Sequence, residues 1–419
     1  MFKQICFFSL IVIGLYGCQG ENDVPEPRPV QEQFVEGAYN IGMAGRGIDY
    51  DILPFAAKQI NNVGGILNRQ LNVVRVEHSH GYDRMQITQE MLDIGIQMFV
   101  GGSSATGHQM LPLVSTNKTP LILGASTSPS VTTLADNDYV FRIPPSDVFV
   151  GQALAQSAID AGAQTCTMIY HAGDSWGKGL TTEFQKSFEV LGGKILINVA
   201  IPEEKTTGFA TEIDLLYSQY PDCVFYAMYN VVNIINEAAG TPFNGIHLYS
   251  EGVLDYTFIP NLTNYTFVEN SIAISPGYGR SDSVELIYFT DTYRNHYGFE
   301  PGNYEVMGYD AIMVAALAIE HAGLVNNTDN PTGEMIRDSL RHVMNPPGEI
   351  VGPSSIGTGL QYIRNGIDVD FTGAYSATDW DSNGDVVGEL VYTVFRFSTE
   401  EGGFVQERQT IVNVPLTDK

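Results

Sequence analysis

Basic residues are scarce in this chain. Lysine and arginine number 21 against 48 aspartates and glutamates, a formal net charge of −27. So acidic a surface repels phosphate backbones and anionic membrane surfaces, which argues against nucleic acid as a partner. Cysteine is scarcer still, with four in 419 residues, two of them in the first 18. The other two, Cys166 and Cys223, lack the spacing of a metal site, and no metal is expected. Each opens an apolar run, so the pair reads either as a cross-strand disulfide or as two buried thiols. There is no Gly-x-Ser-x-Gly elbow, no metalloprotease helix motif, no dinucleotide fingerprint after the first strand and no phosphate loop. Those absences leave no catalytic set, so neither an enzyme nor a cofactor is expected.

What is present is enough for two full cores. The chain is 44% hydrophobic and 11% aromatic, with only 16% charged residues, which is the composition of a folded protein rather than a disordered one. Residues 1–18 read as a secretory signal peptide: Lys3 is the positive end, and Ile5 to Leu15 is an apolar run too short to cross a bilayer. Leu15-Tyr16-Gly17-Cys18 resembles a bacterial lipobox, which makes Cys18 the expected lipidation site; plain secretion with cleavage nearby is the alternative. Residues 19–33 are polar and carry Pro25, Pro27 and Pro29, a composition suited to a flexible tether.

From Tyr39 onward, strand-like runs alternate with helical ones. Strands are expected at 39–43, 71–77, 98–100 and 120–123, then at 166–170, 194–199, 224–227, 246–249 and 272–275. Helices of 10–15 residues between strands imply right-handed βαβ units and parallel sheets. The series restarts after Phe141-Arg142-Ile143-Pro144-Pro145, so the chain reads as α/β with two similar lobes. Two good helices follow at 285–296 and 309–321. Past residue 348, Gly, Pro and Ser increase and the tail turns antiparallel, with strands at 390–397 and 410–414. Two strand exits stand out, Val100-Gly101-Gly102-Ser103-Ser104-Ala105-Thr106 and Leu123-Gly124-Ala125-Ser126-Thr127-Ser128-Pro129. Each sets glycines, free N–H groups and small hydroxyls at the carboxyl end of a strand, where ligands bind in open α/β sheets. The spacing suits a carboxylate better than a nucleotide.

Together with these exits, several segments carry a family likeness: Asn61-Asn62-Val63-Gly64-Gly65-Ile66, Asp174-Ser175-Trp176-Gly177-Lys178-Gly179, Tyr226-Ala227-Met228-Tyr229, Ser250-Glu251-Gly252 and Thr378-Asp379-Trp380-Asp381-Ser382-Asn383-Gly384-Asp385. The chain resembles the type I periplasmic binding proteins, in their leucine/isoleucine/valine-binding branch, over nearly all of residues 37–400. The resemblance implies two lobes, each a mainly parallel sheet flanked by helices, joined by three crossing strands. Lobe one would be 34–142 plus 276–368, and lobe two 143–275 plus 369–419. It also implies a ligand held in the interlobe cleft by hinge closure and delivered to an ABC permease.

By family position, Ser104 and Thr127 would offer hydroxyls, and Ala125 backbone groups, to the carboxylate of an amino acid. Glu251 would take its ammonium. Trp176 and Tyr229 would be lobe-two walls, and Tyr50 a cover from lobe one. Arg46 reads mainly as a surface residue. His78 and His80 read as an exposed pair rather than a metal site. The acidic run 379–385 reads as a hairpin turn, because Leu390 stands where a calcium loop needs glutamate. The expected function is an extracytoplasmic solute-binding lipoprotein for an amino acid or similar small zwitterion, in the periplasm or cell envelope and anchored to a membrane through Cys18. A sensory receptor subunit of the same fold is the alternative, and an enzyme on this fold a weaker one.

Overall fold

The structure, a computed structural model, describes residues 29–45, 47–75, 83–254, 257–277 and 283–416. The leader, Cys18, most of the tether, Arg46, His78 and His80 lie outside the described residues. Five short strands form a wholly parallel sheet: β1 (Tyr39–Met43), β2 (Leu71–Val74), β3 (Phe99–Val100), β4 (Leu121–Leu123) and β5 (Val140–Arg142), in the order β2-β1-β3-β4-β5. The next five repeat that order in a second sheet. They are β6 (Thr165–His171), β7 (Lys194–Ile201), β8 (Cys223–Ala227), β9 (Ile246–Tyr249) and β10 (Ile272–Pro276), arranged β7-β6-β8-β9-β10 and again parallel. Helices cover these strands, and several strands are buried along their whole length. That is why they read as continuous apolar runs rather than alternating ones.

The chain crosses between the sheets three times, after Arg142, after Pro276 and after Phe371. On the second visit to lobe one it adds β11 (Glu349–Val351) and β12 (Val369–Phe371), a small parallel pair. On its last visit to lobe two it adds β13 (Thr378–Trp380), β14 (Val386–Ser398) and β15 (Gly403–Val414), all antiparallel; β14 runs along β10 and holds both β13 and β15. The helix Asn303–Asn326 is long and apolar enough to cross a membrane, but it is largely buried inside the protein. It packs against the helices Ile48–Asn62, Gly333–Met344 and Ile356–Arg364, as the core helix of lobe one.

The tail of lobe one departs from the expected loop-rich region. The helix Ile356–Arg364 contains Gly357 and Gly359, which belong to the stretch where Gly, Pro and Ser increase. A Cβ on Gly359 would lie 3.2 Å from Val351 and 3.3 Å from Leu317. The glycine is there for close approach between layers, not for a turn. Cys166 and Cys223 stand opposite each other on β6 and β8 as buried free thiols.

The β13–β14 turn closes the hinge. Asp381 accepts the Asn383 and Asp385 N–H groups, at 2.7 and 3.0 Å, which uses the acidic run as a turn. Asp385 then reaches lobe one, 2.7 Å from Nε of the fully buried Arg142. Trp380 Nε1 donates to the Arg142 carbonyl at 2.7 Å, and Arg142 N–H to the Gly384 carbonyl at 3.0 Å.

Candidate functional site

The carboxyl ends of both parallel sheets face one another, and the candidate residues sit there. On the lobe-one side β3 runs into Gly101 and Gly102, with φ of +95° and +96°. Side chains are strained in that region, and there is no room for them. A Cβ on Gly101 would lie 2.6 Å from the Asp49 carboxyl carbon, and one on Gly102 2.5 Å from Thr106. The Gly102 N–H donates to Asp49 at 2.6 Å. A capping box between Ser103 and Thr106 then starts the helix Ser104–Thr116, five residues before the expected 109. The Ser104 hydroxyl accepts from the Ser128 N–H at 3.1 Å and the Ser126 hydroxyl at 3.3 Å, so its own proton remains to donate. The Ala125 N–H donates to the Gly102 carbonyl at 3.0 Å and is not free for a ligand. Thr127 is buried, and its carbonyl takes the Asp147 N–H at 2.8 Å.

On the lobe-two side, Asp174 caps the helix Ser175–Val190 by accepting the Trp176 and Gly177 N–H groups at 3.1 and 3.0 Å. That fixes Trp176 at the helix start, 6% exposed, with a buried indole N–H that has no partner. The Tyr229 ring stacks on Trp176 at 5.0 Å and on His171 at 5.9 Å, and stays 46% exposed. Glu251 follows β9. Its Oε1 accepts the Tyr304 hydroxyl at 2.6 Å, and its Oε2 is sealed from solvent without a partner. Tyr304 comes from the first turn of the core helix of lobe one, so this bond spans the lobes. A second tie is the Ser128 hydroxyl on the Ser175 carbonyl at 2.8 Å.

Sequence reasoning missed Asp147. It opens the helix Asp147–Asp160 next to the N-cap Ser146, so it looked like an ordinary first-turn acid. In the fold it is fully buried, and both carboxyl oxygens are sealed from solvent, with the neutral Thr127 hydroxyl beside them. Burial pushes its carboxyl well above the usual range, and the neighbouring Glu251 pushes it further; the Thr127 hydroxyl beside it pulls the other way. Glu251 is itself raised by burial, against the Tyr304 hydroxyl. Burial, and after it the nearby carboxylates of Asp174, Glu251, Glu203 and Asp147, raise the Tyr229 hydroxyl. Tyr304 was missed too, because nothing in Pro301-Gly302-Asn303-Tyr304 distinguishes it from a helix start.

Thr127 and Glu251 both lie beside Asp147, and Tyr229, stacked on Trp176, lies near the same two acids; Ser104 is bonded to Ser126 and Ser128. Tyr50 lies in the first turn of the helix after β1, with the Arg75 guanidinium 4.6 Å from its ring centre. Among the described residues there is no group of three or more His, Cys, Asp or Glu placed to hold a metal.

Asp49, behind the glycine turn, is fully buried and its carboxyl is pushed up to about 7, mainly by burial. A carboxyl that holds its proton more tightly when folded stabilises the fold at low pH and loses that contribution as pH rises from about 4 through about 7. At about 1.4 kcal/mol per unit the full loss is on the order of 4 kcal/mol. Asp49→Asn should therefore gain stability relative to the parent between pH 4.5 and 7.5. Urea unfolding at several pH values checks this, and a relative loss would contradict it.

The profile of the periplasmic binding protein family matches residues 54–356. No curated protein matches the chain significantly in sequence. Among solved structures, the leucine-binding protein LivK of Thermotoga maritima superposes with a TM-score of 0.72 at 21% identity, covering 90% of this chain and 99% of that one. The branched-chain amino acid transporter substrate-binding protein LivJ of Streptococcus pneumoniae, in complex with isoleucine, gives 0.69 at 18%, covering 90% and 99%. An ABC transporter solute-binding protein of R. palustris, in complex with benzoate, gives 0.68 at 15%, covering 91% and 99%. At such identities the likeness is one of fold.

Proposed function

This chain belongs to the periplasmic binding protein family, and we propose that it captures a small amine-bearing solute, such as an amino acid, between its lobes and passes it to an ABC permease. One arrangement carries the reading. The Glu251 carboxylate, on lobe two, lies near Asp147, which stands beside the Thr127 hydroxyl of lobe one, and it is tied across the lobes to Tyr304. A carboxylate enclosed there is costly unless a cation pairs with it. The stacked Trp176 and Tyr229 supply an apolar wall that also tolerates positive charge. Solved relatives were crystallised with leucine, isoleucine and benzoate, so the fold accepts both amino acids and plain acids. Glu251 favours the amine-bearing class here.

Closure is driven only by contacts that a solute makes in the closed form. A micromolar solute must net about −8 kcal/mol, which a paired ammonium and a buried side chain can supply. A thermal-shift screen over amino acids, amides and small carboxylates tests the reading. A rise in melting temperature with amine-bearing compounds is expected; no rise with any compound would count against it. The location outside the cytoplasm follows the family, and the anchor at Cys18 is part of the same proposal. Cys18→Ser should move the protein from the membrane to the soluble fraction; membrane fractionation unchanged by the substitution would remove the anchor from the account.

A further inference from the structure

We propose that the solute is a net cation, an amine or a basic amino acid, held between Asp147 and Glu251. The inference rests on the solute-capture reading above and names the charge class of that same site. Its first support is a count of charges. Asp147 is fully buried and Glu251 has an oxygen sealed from solvent, with neutral hydroxyls, those of Thr127 and of Tyr304 and Ser250, beside them. Arg142 acts on Asp147, but its guanidinium is already committed to Asp385 at 2.7 Å, the Ser128 carbonyl at 2.9 Å and the Thr132 hydroxyl at 2.9 Å. Asp174, the other acid that acts on Asp147, spends its oxygens on the cap of its helix. Burial and mutual repulsion favour the protonated forms of both acids in the empty protein, and a zwitterion's own carboxylate adds to that repulsion. A solute with two amine groups and net positive charge lets both acids ionise against a partner.

The second support concerns donors. The hydroxyls and N–H groups that a ligand carboxylate would need are partly spent. The Ala125 N–H is bound to Gly102, and the Thr127 hydroxyl stands beside the Asp147 carboxylate. A ligand carboxylate placed at Thr127 would meet Asp147, a like charge. Ser104 accepts two bonds and keeps its hydroxyl proton to donate, and the buried Ser175 hydroxyl and Trp176 N–H are also without a partner. The third support is the wall: the half-exposed Tyr229, stacked on Trp176 and His171, lies next to the two acids. Over longer range the net charge of −27 raises the local concentration of cations and lowers that of anions.

Calorimetric titration at pH 7.5 and low salt tests the assignment, with four probes: 1,4-diaminobutane, lysine, leucine and benzoate. At least one of the two cations should bind about 100-fold or more tighter than leucine, and benzoate not at all. Asp147→Asn should weaken that cation at least tenfold and leave or improve leucine. Circular dichroism of the variant confirms the fold, and the four-probe comparison on the parent chain stands without it. Leucine or benzoate binding as tightly as either cation, in a manner weakened by Ser104→Ala, would overturn the cationic assignment and leave solute capture intact. An unchanged cation affinity in Asp147→Asn would also overturn it. Failure of all four probes would count against both readings.

Discussion

Glu251→Gln should weaken the solute found by screening about 100-fold or more while leaving the empty protein at least as stable as its parent. The substitution is isosteric and keeps an oxygen for the Tyr304 hydroxyl, which now lies 2.6 Å from Oε1. What it removes is the charge. Truncating one side of a buried charged pair costs about 2–5 kcal/mol, and every 1.4 kcal/mol is tenfold in affinity. Stability should move the other way. The Glu251 carboxyl is raised by burial, so it is harder to ionise in the fold than in the unfolded chain. A neutral amide avoids that cost at neutral pH. Calorimetry and thermal melting read the two effects separately. Equal affinity for parent and variant would remove Glu251 from the binding account. A large fall in melting temperature would instead make it a structural residue.

The second large effect belongs to the hinge. Asp385→Ala should destabilise the protein by about 3–5 kcal/mol, the usual result of stripping the partner from a buried charge. Arg142 is 0% exposed and keeps only two neutral acceptors, the Ser128 carbonyl and Thr132 hydroxyl, when Asp385 is removed. Thr132 in turn loses the Asp385 oxygen it donates to at 2.6 Å. The pair ties a turn of lobe two to a strand of lobe one, so its loss should also loosen the closed arrangement. Arg142→Met on the Asp385→Ala background should restore part of the stability, because no buried charge is then left alone. Urea unfolding of the parent, two single variants and the double variant gives the coupling directly. A loss below about 1 kcal/mol for Asp385→Ala would mean that the buried guanidinium needs no counter-charge.

The fold was readable where local pattern and burial agree. β1 and β9 fall at the expected residues, because each is a short, continuous apolar run between loop signals. The helices at Ile356–Arg364 and Gly333–Met344 were not readable. Gly357 and Gly359 serve packing against Val63, Val351 and Leu317, contacts that no local pattern contains. The helix at Ser104 began earlier than expected because a serine and threonine capping box, not an apolar repeat, sets its start. The hydroxyls and aromatics of the candidate site were legible as strand exits, since topology sends every such exit to the same edge. Asp147 and Tyr304 were not. Each looks like an ordinary helix start, and only the folding of two lobes onto one hinge brings them against Glu251.

A crystal structure of the protein with the tightest-binding solute from the calorimetric panel would test the central claim most directly. The account predicts the solute's nitrogen within hydrogen-bond distance of Glu251, its body against Tyr229 and Trp176, and lobe-one hydroxyls closing over it. Solute bound to one lobe alone, or anywhere outside the space between Ser104 and Glu251, would contradict it.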